Sequence, residues 1–346
     1  MKSHVVFGAG LIGCFLGGAL KAKGLNVSLV CRAKVQAKLA NGVKLSDYLH
    51  NEIQVSPFDF VDPKRLIEPN ETGLIADFLW LTVKCTGLEQ AAEDMFPLVG
   101  PDTVILCCQN GLGSDKGLRS RYPDNVILRV MVPFNVVELS EGHFHRGSEG
   151  TLTLESYAQC PDVTQALVQD VDCVLLPLTQ TRDMDSLLWA KLQLNLGNSV
   201  NALADIPVKG MLEQRAYRLV IAALMKECLS VTDALGIELP RVTALPAHWI
   251  PRVLSLPNFL FKLLANKMLA IDPNVRTSMW WDLSQGKATE IDHLNGAVLA
   301  AASHLQLVCP ANEKIIELVK NISSHGQNAL QRPVSGKKLL RLIEQQ

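Results

Sequence analysis

The chain has 346 residues, 48% of them hydrophobic and 19% charged, with a formal net charge of -1 at pH 7. This length suits two domains, and the composition is that of an ordinary globular protein. The balanced charge argues against a nucleic-acid partner. Because there is no apolar run of about 18 residues and no basic run, we expect no membrane partner either.

The nine cysteines are scattered, with no Cys-x-x-Cys pair and no Cys/His pair at zinc-ligand spacing. Scattered thiols are typical of proteins from a reducing compartment. The first residues lead directly into a predicted strand rather than a signal peptide. We therefore expect a cytoplasmic protein without a metal site.

A glycine-rich turn follows the first predicted strand. Residues 4–7 form a short apolar run, residues 11–24 are rich in Leu, Ala and Gly, and residues 27–30 form a second apolar run. In this context of strand, turn and helix, a G-x-G-x-x-G pattern predicts a dinucleotide with its pyrophosphate at the helix N-terminus. A turn without a ligand is the alternative. The predicted cofactor contacts are Gly8, Ala9, Gly10, Leu11, Ile12 and Gly13.

Each glycine of this pattern has a separate expected role. Gly8 permits the tight turn, Gly10 lets the backbone approach a pyrophosphate, and Gly13 lets the helix pack on the strand. The free N–H groups and the partial positive charge of the helix N-terminus then face the phosphates.

The end of the second strand indicates which cofactor binds. An NAD site usually has Asp or Glu about twenty residues after the glycines, bonded to the ribose 2′-hydroxyl. Here the strand is followed by Arg32, with Lys34 nearby and no carboxylate. A guanidinium suits a 2′-phosphate, so we predict NADPH. The alternative is that Arg32 is simply a surface residue.

The pattern of strands continues through the first half of the chain. Apolar runs at 79–83, 103–108 and 126–132 predict strands of a parallel sheet, and ligands bind beyond the carboxyl ends of such strands. Lys84 and Asn110 lie at two of these ends. Asn110 also precedes a glycine, and the pair could be only a turn. The last predicted strands are 151–155 and 173–178, and we place the domain boundary at 183.

From residue 184 to residue 346 the pattern predicts an all-helical domain. The expected helices are 185–205, 211–235, 257–270, 288–305 and 310–322. Four prolines predict a loop over 240–257, and the polar stretch from 323 onward is expected to fray. The predicted fold class is therefore α/β: a Rossmann-type, doubly wound parallel sheet over 1–183 and a helical domain over 184–346.

One predicted helix carries polar residues among leucines. At about 100° per residue, Lys191, Asn195, Asn198 and Ser199 gather on one face. The opposite side is apolar, which is typical of a buried helix. A buried lysine needs a partner or a function, because an unpaired buried charge is costly. A solvated helix face is the alternative.

A second polar segment lies near the end of the helical half. Ser278 precedes two adjacent tryptophans, and Glu290 is expected in the first turn of helix 288–305. A carboxylate there is also favoured by the helix dipole, and Ser278 could equally be a helix cap or a solvated loop hydroxyl. For both residues, a purely structural role is therefore the alternative to a role in the site.

These motifs together resemble the ketopantoate reductase (2-dehydropantoate 2-reductase) family. The resemblance covers nearly the whole chain. It rests on Gly8-x-Gly10-x-x-Gly13, Val83-Lys84, Gln109-Asn110-Gly111, Trp189-x-Lys191-Leu-x-x-Asn195, and Ser278-Met-x-x-Asp282 with Thr289-Glu290-Ile-Asp292-x-x-Asn295-Gly296.

The resemblance implies NADPH-dependent reduction of 2-dehydropantoate to (R)-pantoate, a step toward pantothenate. It implies that Lys191 is the catalytic lysine and that Glu290 assists catalysis near the cofactor. Asn110 would contact both the cofactor and the substrate, and Lys84 would contact the cofactor. The expected substrate contacts are Asn110, Lys191, Asn195, Asn198, Ser199 and Ser278.

Two departures leave the substrate open. The family often has an asparagine eight residues after the lysine, where this chain has Ser199, and Lys209 stands at another polar substrate position. A reductase of another keto acid is therefore one alternative, and a non-catalytic NADPH sensor is another. The apolar helical half also makes a homodimer plausible.

Overall fold

The computed structural model describes residues 1–62, 74–157, 161–264, 274–324 and 333–345. The chain forms two compact units, Met1–Met184 and Asp185–Gln346. None of the helices in the described ranges is long and apolar enough to span a membrane.

The first unit is built from strands and helices in alternation. Its strands are β1 (Ser3–Phe7), β2 (Asn26–Val30), β3 (Val43–Asp47), β4 (Glu52–Val55), β5 (Asp59–Phe60), β6 (Phe78–Leu81), β7 (Val104–Cys107), β8 (Ile127–Met131), β9 (Val136–Ser140), β10 (His143–Arg146), β11 (Leu152–Glu155) and β12 (Leu178–Thr181). Its helices are α1 (Leu11–Ala22), α2 (Ala33–Leu39), α3 (Leu88–Asp94), α4 (Lys116–Arg121) and α5 (Pro161–Val171).

The main sheet has the strand order β12-β11-β8-β7-β6-β1-β2-β5. Neighbours from β8 to β5 run parallel, whereas β11 is antiparallel to β8. Strands β6 and β7 are buried along their whole length, as expected for strands covered on both faces. The predicted α/β fold with a Rossmann-type sheet is confirmed. Strands β2, β1, β6 and β7 are adjacent and parallel, so their carboxyl ends share one edge of the sheet.

A second sheet, in the order β4-β3-β10-β9, escaped prediction from the sequence. Its strands are four or five residues long, and β4 and β9 expose most of their residues. No apolar run marks them, because exposed positions interrupt β4 and β9 and the buried residues of β3 and β10 include Ser46, Asp47 and Arg146.

The prediction of a strand over 173–178 is wrong. Strand β12 begins only at Leu178, and the Leu176 N–H donates to the Cys173 carbonyl at 3.0 Å, which closes a turn. Leu176 is fully buried. The apolar run therefore reflects a turn packed into the core, which hydrophobicity alone does not distinguish from a buried strand.

In its described residues, the second unit contains helices and no strands. Its helices are α6 (Met184–Asn195), α7 (Gly197–Ala204), α8 (Val208–Glu213), α9 (Arg215–Ala234), α10 (Ile250–Leu254), α11 (Asn258–Leu264), α12 (Ser278–Ser284), α13 (Asn295–His304), α14 (Pro310–Ser323) and α15 (Gly336–Glu344). The predicted helical domain is confirmed as a class, but several boundaries differ.

Two of the long predicted helices are divided. The helix expected over 185–205 is interrupted at Leu196, although the Leu196 N–H still donates to the Leu192 carbonyl at 3.1 Å. The helix expected over 211–235 is split at Gln214, whose backbone is extended. The predicted loop over 240–257 contains α10, and of the helix expected over 257–270 the structure describes α11, with 265–270 outside the described residues.

The last segment is more ordered than its composition indicates. Helix α15 begins at a Ser335 cap, whose hydroxyl accepts from the Lys338 N–H at 3.4 Å. Leu339 and Ile343, four residues apart, are buried on one face. The expected fraying is therefore wrong for residues 336–344, because this short helix buries an apolar face against the rest of its unit.

A fully buried arginine holds the helical unit together. Arg218 of α9 donates to the carbonyls of Leu212, Leu254 and Leu256 at 2.8–3.0 Å, and its guanidinium lies 4.0 Å from the Phe261 ring centroid. Leu212 and Leu254 lie in the last turns of α8 and α10, where helix carbonyls lack partners within the helix. Burial lowers the pKa of Arg218.

Candidate active site

The glycine turn of the first unit leaves no room for side chains at two of its three positions. Gly8 has a φ of 108°, and a Cβ there would lie 2.8 Å from Val83 Cγ1. A Cβ on Gly13 would lie 2.0 Å from the Gly8 carbonyl oxygen. By contrast, a Cβ on Gly10 would meet nothing within 4 Å. The turn and the close packing therefore need Gly8 and Gly13, and Gly10 faces open space.

The N-terminus of α1 is suited to an anion. Gly10 is the N-cap residue and has no side chain to occupy the first N–H groups, and the first turn contains no acidic residue. Leu11 is exposed, while Ala9 and Ile12 are partly buried. Free N–H groups and the helix dipole favour a phosphate at such a position. The residues present thus fit the pyrophosphate of a dinucleotide.

Three other predicted cofactor residues lie at the same edge of the main sheet. Arg32 follows β2, is exposed, and opens α2 by accepting from the Val35 N–H at 2.8 Å. Lys84 follows β6 and is exposed. Asn110 follows β7 and is partly buried, and its carbonyl accepts from the Cys85 thiol at 3.1 Å. The structure therefore gathers all three at the strand ends beside the glycine turn.

Two further polar residues at this edge were not predicted as site residues, although Gln109 belongs to the motif Gln109-Asn110-Gly111. The Thr82 hydroxyl donates to the Gly8 carbonyl at 2.6 Å, and the Gln109 amide donates to the carbonyls of Leu81 and Val83. Both residues directly follow apolar strands, which is the signal that could have identified them. Neither is recognisable as a loop-holding residue until the strand order is known.

The polar stripe of the second unit is centred on Lys191. This lysine lies on α6 and is partly buried, and burial lowers its pKa from 10.5 to about 8. Asn195 is the last residue of α6 and Asn198 lies in the first turn of α7, and both are partly buried. The interruption at Leu196 keeps the helical hydrogen bond, so these three residues still share one face.

Ser199 does not belong to that face. It is fully buried, and its hydroxyl donates to the Leu196 carbonyl at 2.8 Å. At about 100° per residue, position 199 lies roughly 80° from Lys191 but only about 20° from Leu192. The structure therefore gives the Ser199 hydroxyl a bond within the helix, and its predicted contact with substrate stays a prediction.

The N-terminus of α12 is tied to α7 by hydrogen bonds. Thr277 caps α12, and its N–H and hydroxyl both donate to the side-chain oxygen of Asn201 at 3.1 Å. The Thr277 hydroxyl also lies 3.3 Å from the Asn198 carbonyl, and Asn201 is fully buried. Ser278, the next residue, is exposed at the first position of α12. The structure thus brings Ser278 beside α7, the helix that follows the one carrying Lys191.

Glu290 lies in a different local structure from the predicted one. It precedes a 3-10 turn, Ile291–His293, and the long helix α13 begins only at Asn295. Glu290 is buried, with 7% exposure. The expectation that it sits in the first turn of a long helix is wrong, because the chain leaves helical geometry at Leu294.

The two tryptophans beside Ser278 differ in their surroundings. The Trp280 indole N–H donates to Asp205 at 2.7 Å, and the Arg276 guanidinium lies 4.1 Å from its ring centroid. Asp205 also accepts from Arg276 at 3.0 Å, and its left-handed backbone ends α7. Trp281 is 53% exposed. This cluster is a second tie between α7 and α12.

Two family models match the chain in succession. The model described as "Ketopantoate reductase PanE/ApbA" matches residues 4–159, and "Ketopantoate reductase PanE/ApbA C terminal" matches residues 183–323. The chain belongs to the ketopantoate reductase family. It is accordingly an oxidoreductase of a family that depends on NAD(P).

Curated ketopantoate reductases align with nearly the whole chain at low identity. A 2-dehydropantoate 2-reductase of Archaeoglobus fulgidus is 22% identical over 322 residues, which cover 92% of this chain and 97% of the relative. One from Streptococcus pyogenes serotype M6 is 24% identical over 324 residues, covering 91% and 95%.

Solved structures of the family have the same fold. A PanE/ApbA family ketopantoate reductase from Ralstonia eutropha JMP134 superposes with a TM-score of 0.75 at 27% identity, covering 94% of this chain and 99% of that chain. D-mandelate dehydrogenase with NADH and anilino(oxo)acetate also gives a TM-score of 0.75, at 18% identity and the same coverage. The second likeness shows a shared fold only.

Proposed function

We propose that the protein reduces 2-dehydropantoate to (R)-pantoate with NADPH. The observation that carries the proposal is Lys191, partly buried with a lowered pKa on one face with Asn195 and Asn198. It occurs in a member of the ketopantoate reductase family whose first unit has a glycine turn suited to an anion. A sensor that only binds a dinucleotide would not need this lysine and its amide neighbours.

Lys191 is proposed as the general acid. When bound, the reduced nicotinamide supplies the hydride for the ketone carbon of the substrate. Negative charge then develops on the ketone oxygen, and the Lys191 ammonium stabilises it and donates a proton to it. With a pKa of about 8, Lys191 is mostly protonated at pH 7, yet gives up its proton more readily than an exposed lysine. The buried Glu290 carboxylate is proposed to keep this ammonium charged and oriented.

Neutral polar side chains are proposed to hold the substrate. Asn195 and Asn198 supply amide donors and acceptors on the lysine face, and Ser278 supplies an exposed hydroxyl. Asn110 in the first unit is proposed to contact both cofactor and substrate. Ser199 is left out, since its hydroxyl is already bonded to the Leu196 carbonyl.

NADPH is the proposed form of the cofactor. Arg32 is exposed at the end of β2, where its guanidinium can bind a 2′-phosphate in the way that a carboxylate binds a 2′-hydroxyl. The fold itself does not decide between the two, because a D-mandelate dehydrogenase of this fold was solved with NADH.

The test is the loss of NADPH absorbance with 2-dehydropantoate, with NADH and other 2-keto acids as parallel substrates. We expect fast oxidation of NADPH, slow oxidation of NADH, and a smaller preference for NADPH in Arg32→Ser. Activity confined to another keto acid would move the substrate, a result that the Ser199 and Lys209 departures would explain. Binding without any turnover would favour a sensor.

The proposal extends to the assembly state and the compartment. A ketopantoate reductase from Staphylococcus aureus with the same fold is dimeric. We propose a homodimer for this chain as well, which light scattering would distinguish from a monomer. The scattered cysteines favour a cytoplasmic location.

A further inference from the structure

A chain of hydrogen bonds crosses three adjacent strand ends of the first unit. The Gln109 amide, after β7, donates to the Leu81 carbonyl at 2.8 Å and to the Val83 carbonyl at 3.0 Å. Between those two carbonyls, Thr82 donates its hydroxyl to the Gly8 carbonyl at 2.6 Å. We call Gln109, Thr82 and Gly8 with these bonds the strand-end bridge.

The strand-end bridge lies directly beneath the first turn of α1. A Cβ on Gly13 would lie 2.6 Å from the Thr82 hydroxyl oxygen and 2.0 Å from the Gly8 carbonyl oxygen. The Thr82 N–H also donates to the Phe7 carbonyl at 2.9 Å, so the residue is held by its backbone as well. The hydroxyl, the Gly8 carbonyl and Gly13 are therefore packed against one another.

Glycine needs such a support because it is intrinsically mobile. Gly8 has a φ of 108°, and without a Cβ its backbone has more conformations to lose than any other residue. A shift of the Gly8 peptide would move the first N–H groups of α1. An ordered turn lowers the entropy cost of binding an anion there.

We propose that Thr82 and Gln109 are positioning residues for the pyrophosphate of the nicotinamide dinucleotide. The proposal rests on the cofactor site of the proposed function. Neither residue needs to touch the cofactor. Gln109 is 6% exposed, and the bonds of both side chains run into the protein. Thr82 orders the glycine turn, and Gln109 fixes the segment that carries Thr82.

Thr82→Val tests the hydroxyl with little change of shape, and Thr82→Ser restores it. The readout is the dissociation constant of NADPH, measured by protein fluorescence without substrate. We expect about a tenfold weaker affinity in Thr82→Val, of the order of one hydrogen bond, and an affinity within about twofold of the parent in Thr82→Ser. In turnover, the KM for NADPH should rise by the same factor while kcat changes by less than about twofold.

Thr103→Val is the matched control. Its hydroxyl likewise donates to a backbone carbonyl, that of Ala76, at 2.6 Å, but Thr103 is buried where Thr82 is partly exposed, and it lies before β7, at the opposite edge of the same sheet. Thr103→Val should lower the melting temperature and leave NADPH affinity within about twofold of the parent. Gln109→Met removes the two amide hydrogen bonds and should weaken NADPH binding as much as Thr82→Val does. It replaces Thr82→Val as the test if Thr82→Val does not fold.

The outcomes separate this inference from the proposed function. If the parent binds NADPH and both Thr82→Val and Gln109→Met bind it equally well, the strand-end bridge has no positioning role. An equal loss in Thr82→Ser and Thr82→Val would also overturn the inference, since the hydroxyl would not be the cause. A parent chain that binds neither NADPH nor NADH would overturn the proposed cofactor site itself.

Discussion

Burial of a single lysine sets the pH dependence expected of this enzyme. The pKa of Lys191 is about 8 because its charged form loses water on burial. A general acid acts only while protonated, so kcat should fall as the pH rises through about 8, about tenfold per pH unit above it. The pH profile of kcat between 6 and 10 measures this.

Variants of Lys191 separate charge from proton donation. Lys191→Ala should lower kcat by about two to four orders of magnitude while NADPH still binds. Lys191→Arg keeps a cation, but an arginine stays protonated far above pH 10. The residual kcat of this variant should therefore not fall as the pH rises through 8. Near-normal turnover in Lys191→Ala would contradict the assignment of the general acid.

His4 gives the first unit a separate sensitivity to acid. It is buried in β1, and its Nδ1 accepts from the Trp80 indole N–H at 3.1 Å. Burial lowers its pKa from 6.5 to about 4, an effect that Asp170 and Asp77 partly offset. Between these pH values the unfolded chain binds a proton that the folded chain does not. Stability from this group is therefore complete above pH 6.5 and falls as the pH drops toward 4.

His4→Asn tests this contribution, because an Asn side-chain oxygen can accept from Trp80 without titrating. Between pH 7 and pH 4, the free energy of unfolding of the parent should fall by up to about 3 kcal/mol more than that of His4→Asn. Urea unfolding at a series of pH values measures the difference. Parallel curves for the two proteins would show that His4 does not contribute.

At the scale of elements, the tie between α7 and α12 connects buried structure to the proposed substrate contacts. Asn201 is fully buried and accepts both donors of Thr277, the residue before Ser278. These bonds fix where α12 begins. A buried polar residue of α7 therefore fixes the start of another helix.

Thr277→Val should raise the KM for the keto acid about tenfold, because it removes the hydroxyl bond to Asn201 and the side-chain cap of α12 and so loosens the position of Ser278, while the backbone N–H bond to Asn201 remains. Affinity for NADPH should be preserved, since the glycine turn, Arg32, Lys84 and Asn110 belong to the other unit. Thr277→Ser, which keeps the hydroxyl, should restore KM to within about twofold. Steady-state kinetics and melting curves measure both effects. A lower melting temperature without a change in KM would show that the hydrogen bonds between α7 and α12 contribute to stability and not to substrate binding.

Element boundaries show where the sequence was insufficient. The periodicity of residues 185–205 predicted one helix, and the structure has two with one continuing face. The face survived because the hydrogen bond at Leu196 is kept. Glu290, in contrast, was placed in a long helix that starts only at Asn295, since no local signal marks the irregular backbone of Leu294.

For the whole molecule, the sequence by itself determined the fold class, the glycine turn and the polar face of Lys191. These depend on local patterns: strand, glycines and helix within one stretch, or spacings of three and four residues along one helix. The position of Ser199 beside Leu192 could have been predicted in the same way, from its angular position along the helix.

Only the tertiary structure decided which distant residues support the site. Thr82 is 74 residues from Gly8 and Asn201 is 76 residues from Thr277, and each pair meets through strand order or helix packing. The second sheet, the burial of Arg218 and the lowered pKa of Lys191 likewise depend on what surrounds each residue. Hydrogen bonding and desolvation act through space, so a pattern along the chain carries no record of them until the chain is folded.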